Sequence, residues 1–267
     1  MGYLVGSFNI QDFTGDGLYK KRGTPEGTRS VERDLKAIAG IILGERFDVV
    51  ALQEVRDYRA VDWLKKHLCI LGGQNWKSYC DISTPSEPEF AFLWNAGKIR
   101  IYRDMNDQPV MPVVLREYEG YPGGFERPPY YGRFTPISSP KTEIRLINVH
   151  LKSGECAQTK NEFKLLANDV YRRVDSERPG TNMDIYTLIL GDYNLKCAKY
   201  CNVCEAGDPK VYRTATRQML PTTLKRKEPD YTDNDFDHFG YDVHTKGFSN
   251  INIVPVFIDL FDKISLY

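Results

Sequence analysis

Short apolar runs that end on polar side chains recur along this chain, interleaved with segments of helical period. Leu4 to Ile10 reads as a strand carrying Ser7-Phe8-Asn9 at its far end. Asp48-Val49-Val50-Ala51-Leu52 predicts a second, buried strand, which stops at Gln53-Glu54-Val55-Arg56-Asp57. Ile185 to Leu190 is apolar and partly β-branched, as a strand covered on both faces should be. It stops at Gly191-Asp192-Tyr193-Asn194, where Gly191 lets the backbone turn without a Cβ in the way. Further strands are expected over Glu89–Trp94, Ile99–Arg103, Val110–Tyr118, Tyr130–Phe134, Glu143–Val149, Phe236–Tyr241 and Ile251–Ile258.

Three segments carry a helical period. Val31, Leu35, Ile38 and Ile42 recur behind Ser30, which can cap a helix with Glu32 and Asp34 in its first turn; Gly44 ends it. Val61, Leu64, Leu68 and Leu71 share one face of a second helix, with Gly72-Gly73 as its stop. Phe163, Leu166, Ala167, Val170 and Val174 are in phase on a third. Thr14–Thr28 and Glu119–Pro129 are rich in Gly and Pro and read as loops. Helices mixed with runs of antiparallel strands imply an α/β fold: two sheets packed face to face with helices outside, a four-layer α/β/β/α sandwich. No linker or repeat divides the chain, so one domain over residues 1–267 is expected.

Composition changes this picture little. Hydrophobic residues make up 41%, enough for a substantial core. Lys+Arg and Asp+Glu are both 36, so any surface for a polyanion must be local. A basic cluster of that kind is Arg213, Arg217, Lys225, Arg226 and Lys227. No apolar stretch is long enough to span a membrane, and a monomer is expected. The first residues lack a basic segment followed by a long apolar one, which leaves two readings of compartment: intracellular, or the mature form of a secreted chain. Cys197, Cys201 and Cys204 lie close together with no fourth Cys or His nearby, which favours a loop disulfide or free thiols over zinc.

The candidate chemistry lies at the strand ends: Asn9, Glu54, His150, and Asp192 with Asn194. Each has a bland reading alone: a turn residue, a helix N-terminal charge, a hydrogen-bonded structural histidine, a strand-to-loop turn. Strands of a common sheet can bring their ends into one cleft, so the set carries more weight than its members. Two residues apart in an extended segment, Asp192 and Asn194 leave on the same face. A carboxylate and an amide fixed there suit holding a water or a hard cation.

Ser7-Phe8-Asn9, Leu52-Gln53-Glu54-Val55, Asn148-Val149-His150-Leu151 and Gly191-Asp192-Tyr193-Asn194 resemble, in order and spacing, the motifs of the endonuclease/exonuclease/phosphatase superfamily. Gln53-Glu54-Val55-Arg56-Asp57 and Arg127-Pro128-Pro129 resemble its deoxyribonuclease I branch. The resemblance covers residues 4 to 241 and implies the four-layer fold. It implies a divalent cation on Glu54 and Asn9, Mg²⁺ first and Ca²⁺ or Mn²⁺ as alternatives. Asp192 would activate the attacking water, Asn194 hold the phosphate, and His150 donate to a phosphate oxygen, braced by Glu89 or, as its rival, Glu87. Arg56, Arg127 and Thr222-Thr223 would face nucleic acid, with DNA favoured. All five strand-end groups are then expected in one cleft.

The resemblance weakens at the end of the chain. The family closes on a strand opening with Asp-His, and this chain has one such pair, Asp237-His238. Its distance from Asp192 fits an earlier family aspartate better, which would leave the last strand missing unless His238 or His244 stands in. Alternatively Asp237 and His238 are the closing pair and complete the site; the bland reading of His238 is a solvent-facing loop residue. The expected function is a metal-dependent phosphodiester hydrolase, foremost a DNA endonuclease. The alternatives are a phosphatase or phospholipid phosphodiesterase of the same fold, or a non-catalytic nucleic-acid-binding copy.

Overall fold

In the computed structural model the apolar run Val49–Val55 becomes a strand buried on both faces, in the interior of a sheet. The structure describes residues 2–14, 18–24, 27–32, 35–72, 75–80, 89–120, 123–154, 156–177, 183–196, 213–214 and 236–241, with the backbone described at 18–24, 27–32 and 213–214. Two compact units divide along the chain at Arg100 and Ile101.

The first unit contains β1 (Val5–Phe13), a hairpin of β2 (Leu18–Thr24) and β3 (Gly27–Glu32), α1 (Leu35–Gly44), β4 (Val49–Val55), α2 (Tyr58–Gly72), β5 (Trp76–Cys80) and β6 (Phe90–Asn95). Its sheet has the order β1-β4-β6-β5; β1 runs parallel to β4 and the other pairs are antiparallel. α1 and α2 bury Leu35, Ile42, Leu64 and Leu68 in a cluster with Ile10 and Leu52 of the sheet. This is what alternation on the strands and the helical period on the helices require.

The second unit contains β8 (Val113–Val114), β9 (Tyr130–Pro136), β10 (Thr142–His150), α3 (Ala157–Leu165), α4 (Tyr171–Ser176), β11 (Asp184–Asp192), β12 (Arg213–Thr214) and β13 (Asp237–Tyr241). β7 (Ile99–Ile101) lies where the chain passes into it, and the sheet order is β12-β13-β11-β10-β9-β7, with β8 also on β9. α3 continues through a π-type turn at Leu166–Val170 into α4. Of the positions expected in phase, Phe163, Leu166, Val170 and Val174 enter one core cluster with Val149 and Ile189, and Ala167 is also buried. β10 and β11 are parallel, with His150 beside Asp192 at their ends.

Several local expectations are corrected. Ser30, Val31 and Glu32 do not start a helix; they belong to β3, and α1 begins at Leu35. The glycines that suggested a loop over Thr14–Thr28 instead accompany a hairpin, since turn chemistry serves both. Leu71 is 44% exposed, because the buried stripe of α2 ends one turn earlier at Leu68. Val110–Tyr118 is a strand only at Val113–Val114, followed by a 3-10 turn at Arg116–Tyr118; Pro112 cannot donate to a ladder. Trp76–Cys80 forms a strand the apolar pattern missed. The expected strand Ile251–Ile258 lies outside the described residues.

Candidate active site

In the first unit the parallel pairing of β1 and β4 sets Asn9 beside Gln53, one residue before Glu54. Both strand ends then leave extended geometry: Gln11, Asp12 and Glu54 have φ of 50°, 46° and 58°. Such left-handed backbone is uncommon for residues other than glycine. The turn aims two donors at the Glu54 carboxylate: Asn9 Nδ2 donates to Oε1 (2.9 Å) and the Asp12 N–H donates to Oε2 (3.1 Å). Asn9 Oδ1 accepts the Gln11 N–H at 3.0 Å.

Arg56 joins this cluster through two other carboxylates. Its Nε donates to Asp12 Oδ1 (3.2 Å) and its Nη1 to Glu89 Oε2 (2.9 Å). Burial pulls the guanidinium pKa down, but Glu89, Asp12 and Glu54 outweigh that and hold it above its ordinary value. Asn9, Glu54, Arg56 and Glu89 are therefore brought together. Glu89 makes its described ion pair with Arg56. Asp12 was missed by sequence reasoning, although it follows the Asn9 motif by three positions.

In the second unit the strand pairing fixes a row of side chains. His150 on β10 is beside Asp192 on β11, which is beside Asp237 on β13. Partnered residues of a sheet project from one face, so these three share it. His150 Nε2 lies 4.0 Å from Asp192 Oδ2, and the two residues are 5% and 9% exposed. The neighbouring row is Val149, Gly191 and His238, on the opposite face. Gly191 is needed there: at φ 139° a Cβ would stand 2.0 Å from the Val149 carbonyl oxygen.

Asn194 does not continue the strand. Its φ of 47° folds the chain back, and its N–H donates to Asp192 Oδ1 (2.8 Å) while Nδ2 donates to the Leu151 carbonyl (2.9 Å). The extended geometry expected from Asp192 to Asn194 is thus replaced by a local turn closed by the Asp192 side chain, a habit of Asp and Asn. Arg127 Nε and Nη2 donate to the carbonyls of His150 (3.0 Å) and Leu151 (2.7 Å). It grips the end of β10.

His238 is not a solvent-facing loop residue. It is 1% exposed in β13, its ring lies 5.1 Å from that of Tyr193, and Nε2 is 3.1 Å from the Leu195 carbonyl. A carbonyl only accepts, so Nε2 carries the proton. Glu87, Thr222-Thr223, His244, the cysteines 197, 201 and 204 and the side chains of the basic segment 213–227 lie outside the described residues. Among the described residues no group of three or more His, Cys, Asp or Glu is arranged to hold a metal, and no helix is long and apolar enough to cross a membrane.

Two mixed sheets with helices, each with polar groups at its strand ends, define the class: a mixed α/β fold. No protein-family model matches the sequence, and no curated protein matches it. Solved structures do match. A Bacteroides thetaiotaomicron mannosyl-6-phosphatase has a TM-score of 0.61 at 12% identity, covering 91% of this chain and 86% of that one. An endonuclease/exonuclease/phosphatase family protein from the same organism has a TM-score of 0.58 at 14% identity, covering 90% and 83%. D. rerio TDP2 complexed with a single-strand DNA product has a TM-score of 0.53 at 16% identity, covering 84% and 81%. The chain has the endonuclease/exonuclease/phosphatase, deoxyribonuclease I-like fold that its motifs implied.

Proposed function

We propose that this chain hydrolyses phosphate esters with a divalent cation, and that its leading substrate is a DNA phosphodiester. The observation that carries the reading is the row His150, Asp192 and Asp237, with Asn194 turned back beside Asp192. A basic or acidic group at each point of a rigid row suits proton transfer and phosphate recognition. Asp192 accepts a proton from the attacking water. His150 donates to a non-bridging phosphate oxygen, and Asn194 offers its second amide N–H to another. The DNA-product complex of TDP2, a fold neighbour, supports the choice of substrate class.

Glu54 and Asn9 are the residues that would hold the cation. The fit rests on their chemistry: a carboxylate and an amide oxygen are hard oxygen donors, and Asn9 Nδ2 and the Asp12 N–H hold the Glu54 carboxylate in place. One carboxylate and one amide make no cage of six to eight oxygens, which suits an ion such as Mg²⁺ that keeps its waters and binds substrate phosphate. When bound, that ion supplies charge neutralisation at a phosphate oxygen.

The test is nicking of supercoiled plasmid with Mg²⁺, Mn²⁺ or Ca²⁺, with and without chelator, beside p-nitrophenyl phosphate and bis(p-nitrophenyl) phosphate. Chelator-sensitive nicking, lost in His150→Ala and Asp192→Asn, is expected. Turnover of the monoester alone would favour the phosphatase reading, which the mannosyl-6-phosphatase neighbour supports. DNA binding without turnover under any cation would overturn the enzyme reading and leave the non-catalytic one.

A further inference from the structure

We infer that Glu162 is a positioning residue for His150, acting through the Leu151-Lys152 turn and through Arg127; this rests on the reading of His150 as part of a hydrolytic site. Glu162 lies on α3 and is 1% exposed. Charged carboxylates are seldom buried this fully unless their oxygens are satisfied. Both oxygens of Glu162 are: Oε2 accepts the Lys152 N–H (2.7 Å), and Oε1 accepts the Glu126 N–H (2.9 Å) and Gln158 Nε2 (3.3 Å).

The two backbone donors are not arbitrary. Lys152 is two residues beyond His150, and Glu126 immediately precedes Arg127. Arg127 holds the carbonyls of His150 and Leu151. The Leu151 N–H donates to the Asp192 carbonyl (2.9 Å), and Thr159 Oγ1, also on α3, donates to the Lys152 carbonyl (2.7 Å). From the His150 carbonyl to the Lys152 carbonyl, every backbone polar group has a partner. Chain just beyond a strand end is ordinarily held by few such bonds and frays. Here one carboxylate fixes both the turn that follows the histidine and the segment that carries the arginine gripping it. Geometry of that kind keeps a reacting group in place, and displacement of about 1 Å can cost a hundredfold in rate.

Glu162→Gln preserves shape but turns an NH₂ toward one of the two N–H donors. The variant should fold by circular dichroism, lose about 10- to 100-fold in kcat on bis(p-nitrophenyl) phosphate, and keep KM, since only a transition-state contact is disturbed. The chain has four histidines, so the His150 ring signals can be assigned by NMR with His150→Ala; their chemical shifts should move while those of His238 stay. Arg127→Met should reproduce the effect, and the double variant should be no worse than the worse single one. If Glu162→Gln does not fold, Thr159→Val, which removes one bond to the same turn along with the Thr159 contacts to Cys156 at the start of α3, should give a smaller loss confined to kcat. A folded Glu162→Gln with unchanged kcat and unmoved His150 signals overturns the inference, as does a loss seen only in KM. If the wild-type chain hydrolyses no phosphate ester, the NMR arm still decides the positioning role while the hydrolase reading falls separately.

Discussion

Replacing Gly191 by alanine should cost about 2–6 kcal/mol, because two independent penalties meet at one atom. The φ of 139° is a conformation that L side chains rarely adopt, worth about 1–3 kcal/mol of strain. The added Cβ would also stand 2.0 Å from the Val149 carbonyl oxygen and 3.0 Å from its carbonyl carbon and its nitrogen, all of them backbone. No flexible side chain can yield there, so β10 and β11 must part near Val149 and Gly191. Two ladder bonds weakened at that point add about 1–3 kcal/mol. Against a domain stability of about 5–15 kcal/mol, the variant should remain foldable but lose much of its margin. Urea titration checks it: Trp63, Trp76 and Trp94 all lie before Arg100, so circular dichroism must follow the second unit. The same parting shifts Asp192 from His150, their 4.0 Å spacing being set by the next pair in register, so hydrolysis should fall even where the chain is folded. A midpoint shift worth less than about 1 kcal/mol would refute the reasoning, since either penalty alone exceeds that.

Other outcomes follow from buried or shifted groups. Glu143 is fully buried and accepts from Arg133 Nε (2.6 Å) and from Arg145 Nε and Nη2 (2.8 and 3.2 Å), while Arg145 is itself fully buried. Glu143→Gln strips two guanidinium groups of their counter-charge and should destabilise by about 3–5 kcal/mol in urea unfolding. Tyr118 is raised from its ordinary value of 10 to about 12, by burial first and then by its hydrogen bond to Asp169. A raised phenol stabilises the fold fully below pH 10 and loses that contribution as pH climbs through 12. Unfolding midpoints between these limits should therefore fall less steeply with pH in Tyr118→Phe than in wild type; equal slopes would count against the shift.

Where apolar runs were bounded by polar pairs, the sequence was easily read. β4, β6, β10 and β11 all lie where their hydrophobic patterns put them, because strands buried on both faces leave an unbroken signal. β5 failed that test, since Trp76-Lys77-Ser78-Tyr79-Cys80 is mostly half-exposed and carries little apolar period. Long-range partners were the harder part. Glu89 meets Arg56 because β4 and β6 are antiparallel with Gln53 opposite Phe90, a register no local pattern encodes. Glu162 sits beside Phe163 on a helix whose core positions were read correctly. A lone acid next to that stripe looks like a solvated residue until the loops it holds are known.

The deepest discrepancy concerns backbone rather than side chains. Six residues other than glycine have positive φ among those described, and four of them, Gln11, Asp12, Glu54 and Asn194, lie at strand ends that carry candidate site groups. Reading Asp192 and Asn194 as extended neighbours gave the wrong geometry. The left-handed turn at Asn194 sends its amide to Leu151 and its N–H to Asp192, which no alternation rule provides. At Glu54 the same conformation coincides with a carboxylate held by Asn9 and the Asp12 backbone. Each such residue costs roughly 1–3 kcal/mol and persists only where its surroundings fix it. Strain at the polar ends of β1 and β4, and separately at the end of β11, is held by hydrogen bonds that involve the groups proposed for cation and phosphate.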